Sequence, residues 1–354
     1  MRPSRALIDL DALRHNYRLA RRRHGGRAFA VVKANAYGHG AIACARALAD
    51  EADGYAVAVI DEALALRAAG IRAPILLLEG VFDAAELIEA ARHDLWPAVH
   101  HTAQIEMIEK TMLPAPLRVW LKVNSGMNRA GFLPGAVRPA RERLNASGKV
   151  RACAFMTHFA RADEPGSPAT AAQIRRFDDA THGLPGERSL ANSAAILAWP
   201  EAHRDWARPG IMLYGVDPVA EGHGGLRPVM TLESRIVAVR ELAAGEALGY
   251  GARFVAPRPI RVGLVAVGYA DGYPRGAPDG APVAVDGRIA ALAGRVSMDM
   301  LTVDLTAVPE AGIGSAVELW GGRIPIERIA RDAGTIAYEL LCNVKRVAFV
   351  WRGG

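Results

Sequence analysis

The chain has 354 residues, of which 51% are hydrophobic and 23% charged, with a formal net charge of +6. That apolar content excludes a disordered chain, and 36 Gly and 21 Pro without a repeating period exclude collagen-like and low-complexity chains. No run of about 18 apolar residues occurs, so no membrane-spanning helix and no membrane partner are expected.

The first 220 or so residues alternate short apolar runs with amphipathic stretches. The runs predict strands at 28–33, 54–60, 73–79, 95–99, 117–123, 151–157, 188–192 and 208–214. Helical spacing of three and four residues fills the gaps, as at 61–69, 83–92 and 102–110. Eight strand–helix units in this length predict an α/β fold, a (β/α)8 barrel over residues 1–224. A doubly wound sheet is the alternative, because periodicity does not report closure. The stretch 215–228 (GVDPVAEGHGGLRP) reads as a linker. Beyond it, strands are predicted at 231–241, 249–255, 260–267, 282–292, 300–305, 316–320 and 346–351. Helices are predicted at 325–333 and 336–342, so residues 225–354 form a mostly β C-terminal domain.

The basic excess is arginine, 38 residues against five lysines. Its densest cluster is Arg21-Arg22-Arg23, with Arg14, Arg18 and Arg27 nearby. No recognition motif accompanies the cluster, so a solvated helix face is expected and a nucleic-acid patch is the rival. Cys44, Cys153 and Cys342 are too few and too widely spaced for a disulfide framework or a zinc site. With no apolar signal-type segment at the start, a cytoplasmic location is expected and no metal site is foreseen.

Chemistry enters with AVVKANAYGHG (30–40), where Lys33 closes an apolar strand before a polar, Gly-containing loop. A lysine at the C-terminal end of a barrel strand points into the mouth, where barrel enzymes hold their sites. Desolvation there lowers a lysine's pKa and suits it to Schiff-base chemistry. The loops after the seventh and eighth strands hold Asn192-Ser193-Ala194 and Arg208-Pro209-Gly210-Ile211. Their small residues let backbone N–H groups approach an anion. A strand-end lysine facing a phosphate cradle matches the needs of pyridoxal phosphate.

These segments, with MNRAGF (127–132), MTHFARAD (156–163), NSAA (192–195), RPGIMLYG (208–215), GYGARF (249–254), GYADGYPR (268–275), GRVSMDM (294–300) and TIAYELLC (335–342), resemble the bacterial alanine racemases. The resemblance runs along the whole chain, in family order and spacing.

It implies a pyridoxal-phosphate-dependent racemase of L- and D-alanine that works by two bases. Lys33 would hold the cofactor as an internal aldimine and then act as one base. Tyr37, Ser193, Gly210, Ile211 and Tyr338 would hold its phosphate. Arg208 would face the ring nitrogen and, because an arginine does not release its proton, keep that nitrogen unprotonated. Tyr250 would be the second base, its phenol tuned through a chain with His158 and Arg208. In the family two protomers share their sites, so Tyr250, Met298 and Asp299 would come from the partner of a homodimer. Arg129 and the Met298 backbone would bind the substrate carboxylate. Lys122, carbamylated in many family members, would orient Arg129. Asp163, Tyr269 and Arg275 would line the entrance. One departure stands out: Asn124-Ser125 occupies a place where Asp-Thr is common. The rival functions are a racemase of broader substrate range and a pyridoxal-phosphate carrier barrel, a class that generally lacks a β domain. D-Alanine made here would feed peptidoglycan precursors, or D-alanine would be degraded; the motifs serve both.

Overall fold

The computed structural model describes residues 2–219 and 224–353, so residues 220–223 of the expected linker lie outside the described residues. The chain divides into two compact units, Leu13–Ala36 with Gly40–Leu226, and Met1–Ala12 with Tyr37–His39 and Arg227–Gly354.

The chain opens on strand β1 (Arg5–Asp9), which belongs to the second unit. The first unit is built on β2 (Arg27–Val31), β3 (Gly54–Val57), β4 (Ile75–Leu77), β5 (Leu95–Val99), β6 (Leu117–Lys122), β7 (Val150–Met156), β8 (Arg188–Ser189) and β9 (Trp206–Ala207). Each pairs in parallel with the next from β2 to β8, and β9 pairs with β2. A bridge between Asn192 and Arg208 and a 2.9 Å bond from Arg208 N–H to Ala191 O close the ring. Closure excludes the doubly wound alternative. Strands such as β3 and β5 are buried at every position, as a sheet covered on both faces requires. The intervening helices start where the sequence supplies caps. Asp83 accepts the Glu86 N–H at 2.8 Å, and Ser167 precedes Pro168 in the first turn.

The N-terminal ends of these strands are sealed by rings. Phe29 stacks on Trp206 at 4.0 Å, with Trp96 and Trp120 edge-on around them. Arg27 lies over Trp206, Arg118 lies over Trp96, and both arginines pair with Glu187. The barrel is therefore a plugged core whose opposite end is free for side chains with chemistry.

The second unit holds β10 (Met230–Leu242), β11 (Ala247–Leu248), β12 (Phe254–Val255), β13 (Ile260–Val265), β14 (Pro282–Val285), β15 (Arg288–Leu292), β16 (Leu301–Asp304), β17 (Ala316–Trp320) and β18 (Ala348–Arg352). Its main sheet runs β13-β16-β15-β14-β17-β10-β1-β18, and β13 also pairs with β10, which closes six strands into a second ring. The long β10 serves both: its start pairs with β1 and β17, its end with β13.

Four local expectations change. Residues 208–214 were expected as a strand, but β9 ends at Ala207 and Ile211–Tyr214 form a 3-10 turn. Pro209-Gly210 interrupts the ladder, and the apolar run stays buried as a turn, with Tyr214 Oη on Val31 O at 2.8 Å. Residues 282–292 form a hairpin, not one strand, because Asp286 and Gly287 adopt φ of 46° and 83°. Of residues 249–255, only Phe254–Val255 form a strand, β12; residues 249–253 make the turn between β11 and β12, with Gly251 at φ 73°. The first strand, β1, was not foreseen at all.

Candidate active site

Lys33 lies just past the C-terminal end of β2 and opens a short helix, Lys33–Gly38, of unusual hand. Ala34, Asn35, Ala36 and Tyr37 have φ of 51°, 54°, 54° and 50°. Each costs an L-residue roughly 1–2 kcal/mol, so the turn needs support. Glu62 provides it: one carboxylate oxygen accepts the Ala34 N–H at 2.6 Å and the other the Ala58 N–H at 2.8 Å. Asn35 Oδ1 accepts the Ala41 N–H at 2.9 Å. Strain held in place beside a strand-end lysine is a mark of a working site. Glu62 was not foreseen; its only sequence signal is an acid in the first turn of a helix.

Lys122 ends β6, and with Arg129, His158, Thr157, Asn124 and Ser125 it lines one cavity. Burial, with Arg208, Arg129 and Lys33 nearby, pushes the Lys122 amine down to about 8. Burial and the same cations, Lys122 among them, push His158 down to about 3, so its imidazole is neutral. The Asn124-Ser125 departure is accommodated. Asn124 Oδ1 accepts the Gly126 and Asn128 N–H groups at 3.2 and 3.0 Å, and Ser125 Oγ meets Thr157 Oγ1 at 2.8 Å.

Arg208 follows β9 and is buried. Its Nη1 donates to Ser189 O at 2.8 Å and Ser189 Oγ at 2.6 Å. Its Nη2 donates to Leu190 O at 3.3 Å and to Thr157 O. Among the described residues it forms no ion pair with an acid. Burial pushes its pKa down to about 10, which leaves it charged at neutral pH. A guanidinium has five N–H donors. Four are spent on the ends of β7 and β8, and Nε–H makes no further hydrogen bond among the described residues. None of the four bonds goes to His158. Beside it, Ser193 Oγ accepts the Gly210 and Met212 N–H groups at 2.9 and 3.3 Å, so the loop after β8 and the loop after β9 form one cradle that includes Ile211. Lys33, Lys122, Arg129 and Arg208 thus crowd positive charge at the barrel mouth, which suits an anion such as a phosphate or carboxylate. Asp163, exposed on the loop after β7, lines a surface recess with Arg161 and Ser167.

In the second unit the buried Tyr37 ring lies 6.1 Å from Tyr338 on the helix Ala337–Asn343. Burial and Tyr338 push the Tyr37 phenol above its ordinary range. Gly38 is obligatory there, because a Cβ would stand 2.2 Å from Leu341 O. Tyr269 N–H donates to Ser297 O and Ala270 N–H to Met298 O, both at 3.0 Å, so the Tyr269 turn and the Met298-Asp299 loop interlock. Tyr250 sits on its turn with 69% of its surface exposed, and Met298 is 53% exposed. Arg275 is also exposed.

Comparison with known proteins decides the family. Residues 8–218 match the family described as alanine racemase, N-terminal domain, and residues 229–351 match alanine racemase, C-terminal domain. The chain belongs to the alanine racemase family. An alanine racemase of Azoarcus sp. (strain BH72) is 71% identical over 353 residues, covering 100% of each chain. The solved biosynthetic alanine racemase of Pseudomonas aeruginosa matches with a TM-score of 0.97 at 50% identity, again over 100% of each chain. An alanine racemase of Bartonella henselae, solved with covalently bound pyridoxal phosphate, matches with a TM-score of 0.90 at 29% identity, covering 99% of this chain and 100% of that one. The chain is accordingly a pyridoxal-phosphate-dependent isomerase, an amino-acid racemase acting on alanine. Its residues fit the cofactor: two strand-end lysines, an arginine with a spare donor and no acid partner, and a hydroxyl-and-amide cradle.

Proposed function

We propose that the enzyme interconverts L- and D-alanine with two bases, Lys33 on one face of the substrate Cα and Tyr250, lent by the partner of a homodimer, on the other. When bound, pyridoxal phosphate withdraws electrons from Cα and makes its proton removable. Lys33 anchors the cofactor covalently and then carries a proton at Nζ. Tyr37, Tyr338, Ser193, Gly210 and Ile211 hold the phosphate. Arg208 directs its remaining Nε–H at the ring nitrogen, and neutral His158 belongs to the chain that tunes Tyr250. Arg129 and the backbone of Met298, the latter from the partner with Asp299, hold the substrate carboxylate. Asp163, Tyr269 and Arg275 shape the entrance. Lys122 carries a carbamate: its amine attacks CO2 and loses a proton, which turns a cation beside Arg129 into an anion.

The observation that carries this reading is Arg208, a buried cation with four donors committed and one free. Site sharing is supported by the exposure of Tyr250 and Met298, large side chains that a monomer leaves in water. A cytoplasmic location is supported by three cysteines that form no disulfide among the described residues, two of them buried. The two alanine enantiomers have equal free energy in water, so what consumes the product sets direction: D-alanine for peptidoglycan, or its degradation.

Chiral chromatography after incubation with alanine, serine and lysine tests the substrate, and exchange confined to alanine is expected. Borohydride reduction should label Lys33; a label elsewhere removes the proposed base. Mixing Lys33→Ala with Tyr250→Phe protein should restore roughly a quarter of wild-type activity, since half the dimers gain one intact site. No recovery with freely exchanging subunits would rule out sharing.

A further inference from the structure

The second residue of the chain makes long-range polar contacts in the second unit that bear on the site. Arg2 Nη1 and Nη2 clasp Asp271 Oδ1 and Oδ2, both at 2.8 Å. The same Nη2 reaches Ala266 O at 2.9 Å and Asp299 O at 2.8 Å. Asp271 is fully buried, and its Oδ2 also accepts the Gly268 N–H at 3.0 Å. One guanidinium therefore ties three chain segments together: the end of β13, the turn that carries Tyr269, and the peptide that follows Asp299, one residue beyond Met298. Arg346, held at φ 57°, grips Asp299 from its other end, with Nη2 on Oδ1 at 2.7 Å. The packing beneath is tight. A Cβ on Gly268 would stand 2.3 Å from Met298 O, so the two loops touch backbone to backbone with no side chain between them.

We propose that Arg2 is a positioning residue for the substrate-carboxylate site: through Asp271 and Asp299 O it fixes the Met298-Asp299 loop against the Tyr269 turn. This rests on the assignment of Met298 to carboxylate binding. Arg2 reaches neither base, so its loss weakens carboxylate binding and leaves proton transfer nearly intact. A planar fork meets Asp271 bidentately, and a lysine does not.

The test uses purified, cofactor-loaded enzyme with Arg2→Lys, Arg2→Gln and Asp271→Asn. The KM for L- and D-alanine and the inhibition constant of propionate, a bare carboxylate, should each rise about tenfold in Arg2→Gln, as loss of one charge-assisted bond implies. They should rise less in Arg2→Lys, and kcat should stay within about threefold. Amide hydrogen exchange at Met298 through Met300 should quicken in Arg2→Gln before global unfolding. Unchanged KM and propionate inhibition in all soluble variants would overturn the proposal, as would a fall in kcat at constant KM. Arg2→Lys keeps the charge, so it provides the reading if Asp271→Asn yields no soluble enzyme. Propionate separates the two layers of argument. If it fails to compete with alanine on the wild-type enzyme, the carboxylate assignment itself is wrong; if it competes there and equally in the variants, only the role of Arg2 falls.

Discussion

Arg208→Lys is the most informative single change at the barrel mouth. The substitution keeps the positive charge and removes the fork. The native side chain joins Thr157 O, Ser189 O, Ser189 Oγ and Leu190 O, acceptors drawn from the ends of two strands. A lysine ammonium presents its donors from one point and reaches one side of this set. Two acceptors are then left without a partner in a buried place. Hydrogen bonds to charged groups are worth roughly 1.5–3 kcal/mol each, so the expected loss for two is about 3–6 kcal/mol. Urea denaturation followed by tryptophan fluorescence reads it, because Trp96, Trp120 and Trp206 lie in the base of the same barrel. The midpoint should fall with the slope unchanged. Borohydride-trapped cofactor on Lys33 should fall as well, since the spare Nε–H goes with the fork. A stability loss below about 1 kcal/mol would refute the reasoning, because it would mean that the four bonds do not hold the strand ends.

Three further outcomes are expected. His24 is buried against His203, with Gly26 N–H on Nδ1 at 3.2 Å and Arg204 N–H facing Nε2 at 3.4 Å, and burial pushes its pKa down to about 4. The unfolded chain therefore binds a proton that the folded barrel refuses between pH 6.5 and about 4; stability falls as pH drops through that window, by roughly 2 kcal/mol between pH 6.5 and 5 from this group. His24→Leu should flatten the urea midpoint over that range, and an equally steep profile would exclude His24 as the cause. Glu62→Gln keeps one acceptor for two N–H groups, so it should cost about 1–2 kcal/mol and slow covalent cofactor loading on Lys33; unchanged loading kinetics would mean that the left-handed turn holds itself. Enzyme equilibrated with carbon-13 bicarbonate should show a carbamate carbonyl resonance that Lys122→Met lacks, and a spectrum common to both proteins would remove the carbamate.

The barrel was legible because a parallel sheet covered on both faces must be apolar at nearly every position, and each run then announces itself. The mouth was legible in part, through lysines and small-residue loops at strand ends. Other features carry no local signal. β1 is five residues long, and its partners begin 225 and 343 positions further on, at Met230 and Ala348. The left-handed turn after Lys33 contains two residues whose type tolerates positive φ, Asn35 and Gly38; Ala34, Ala36 and Tyr37 are held there by their surroundings, with Glu62 on the Ala34 N–H. The role of Arg2 is invisible in sequence, since its meaning lies in an aspartate 269 residues away. Tyr250 was placed within a strand because Gly-Tyr-Gly reads as half-alternation, whereas Gly249 and Gly251, at φ 76° and 73°, make it the tip of a turn.

The electrostatics of the barrel mouth explain why the site should favour anions. Four cationic side chains gather there, His158 is held neutral, and Lys122 and Arg208 are pushed down to about 8 and about 10. Around Lys122, the Glu79 carboxylate opposes the crowd of cations. An arrangement of this kind disfavours the folded barrel by itself and is relieved by negative charge arriving from outside. A cofactor phosphate would bring negative charge of this kind, a substrate carboxylate would add to it, and the carbamate proposed on Lys122 would add more. The same repulsion that weakens the bare protein thus becomes affinity for its anions, which is why carboxylates without an amino group should bind this site and stabilise the barrel in proportion to their occupancy.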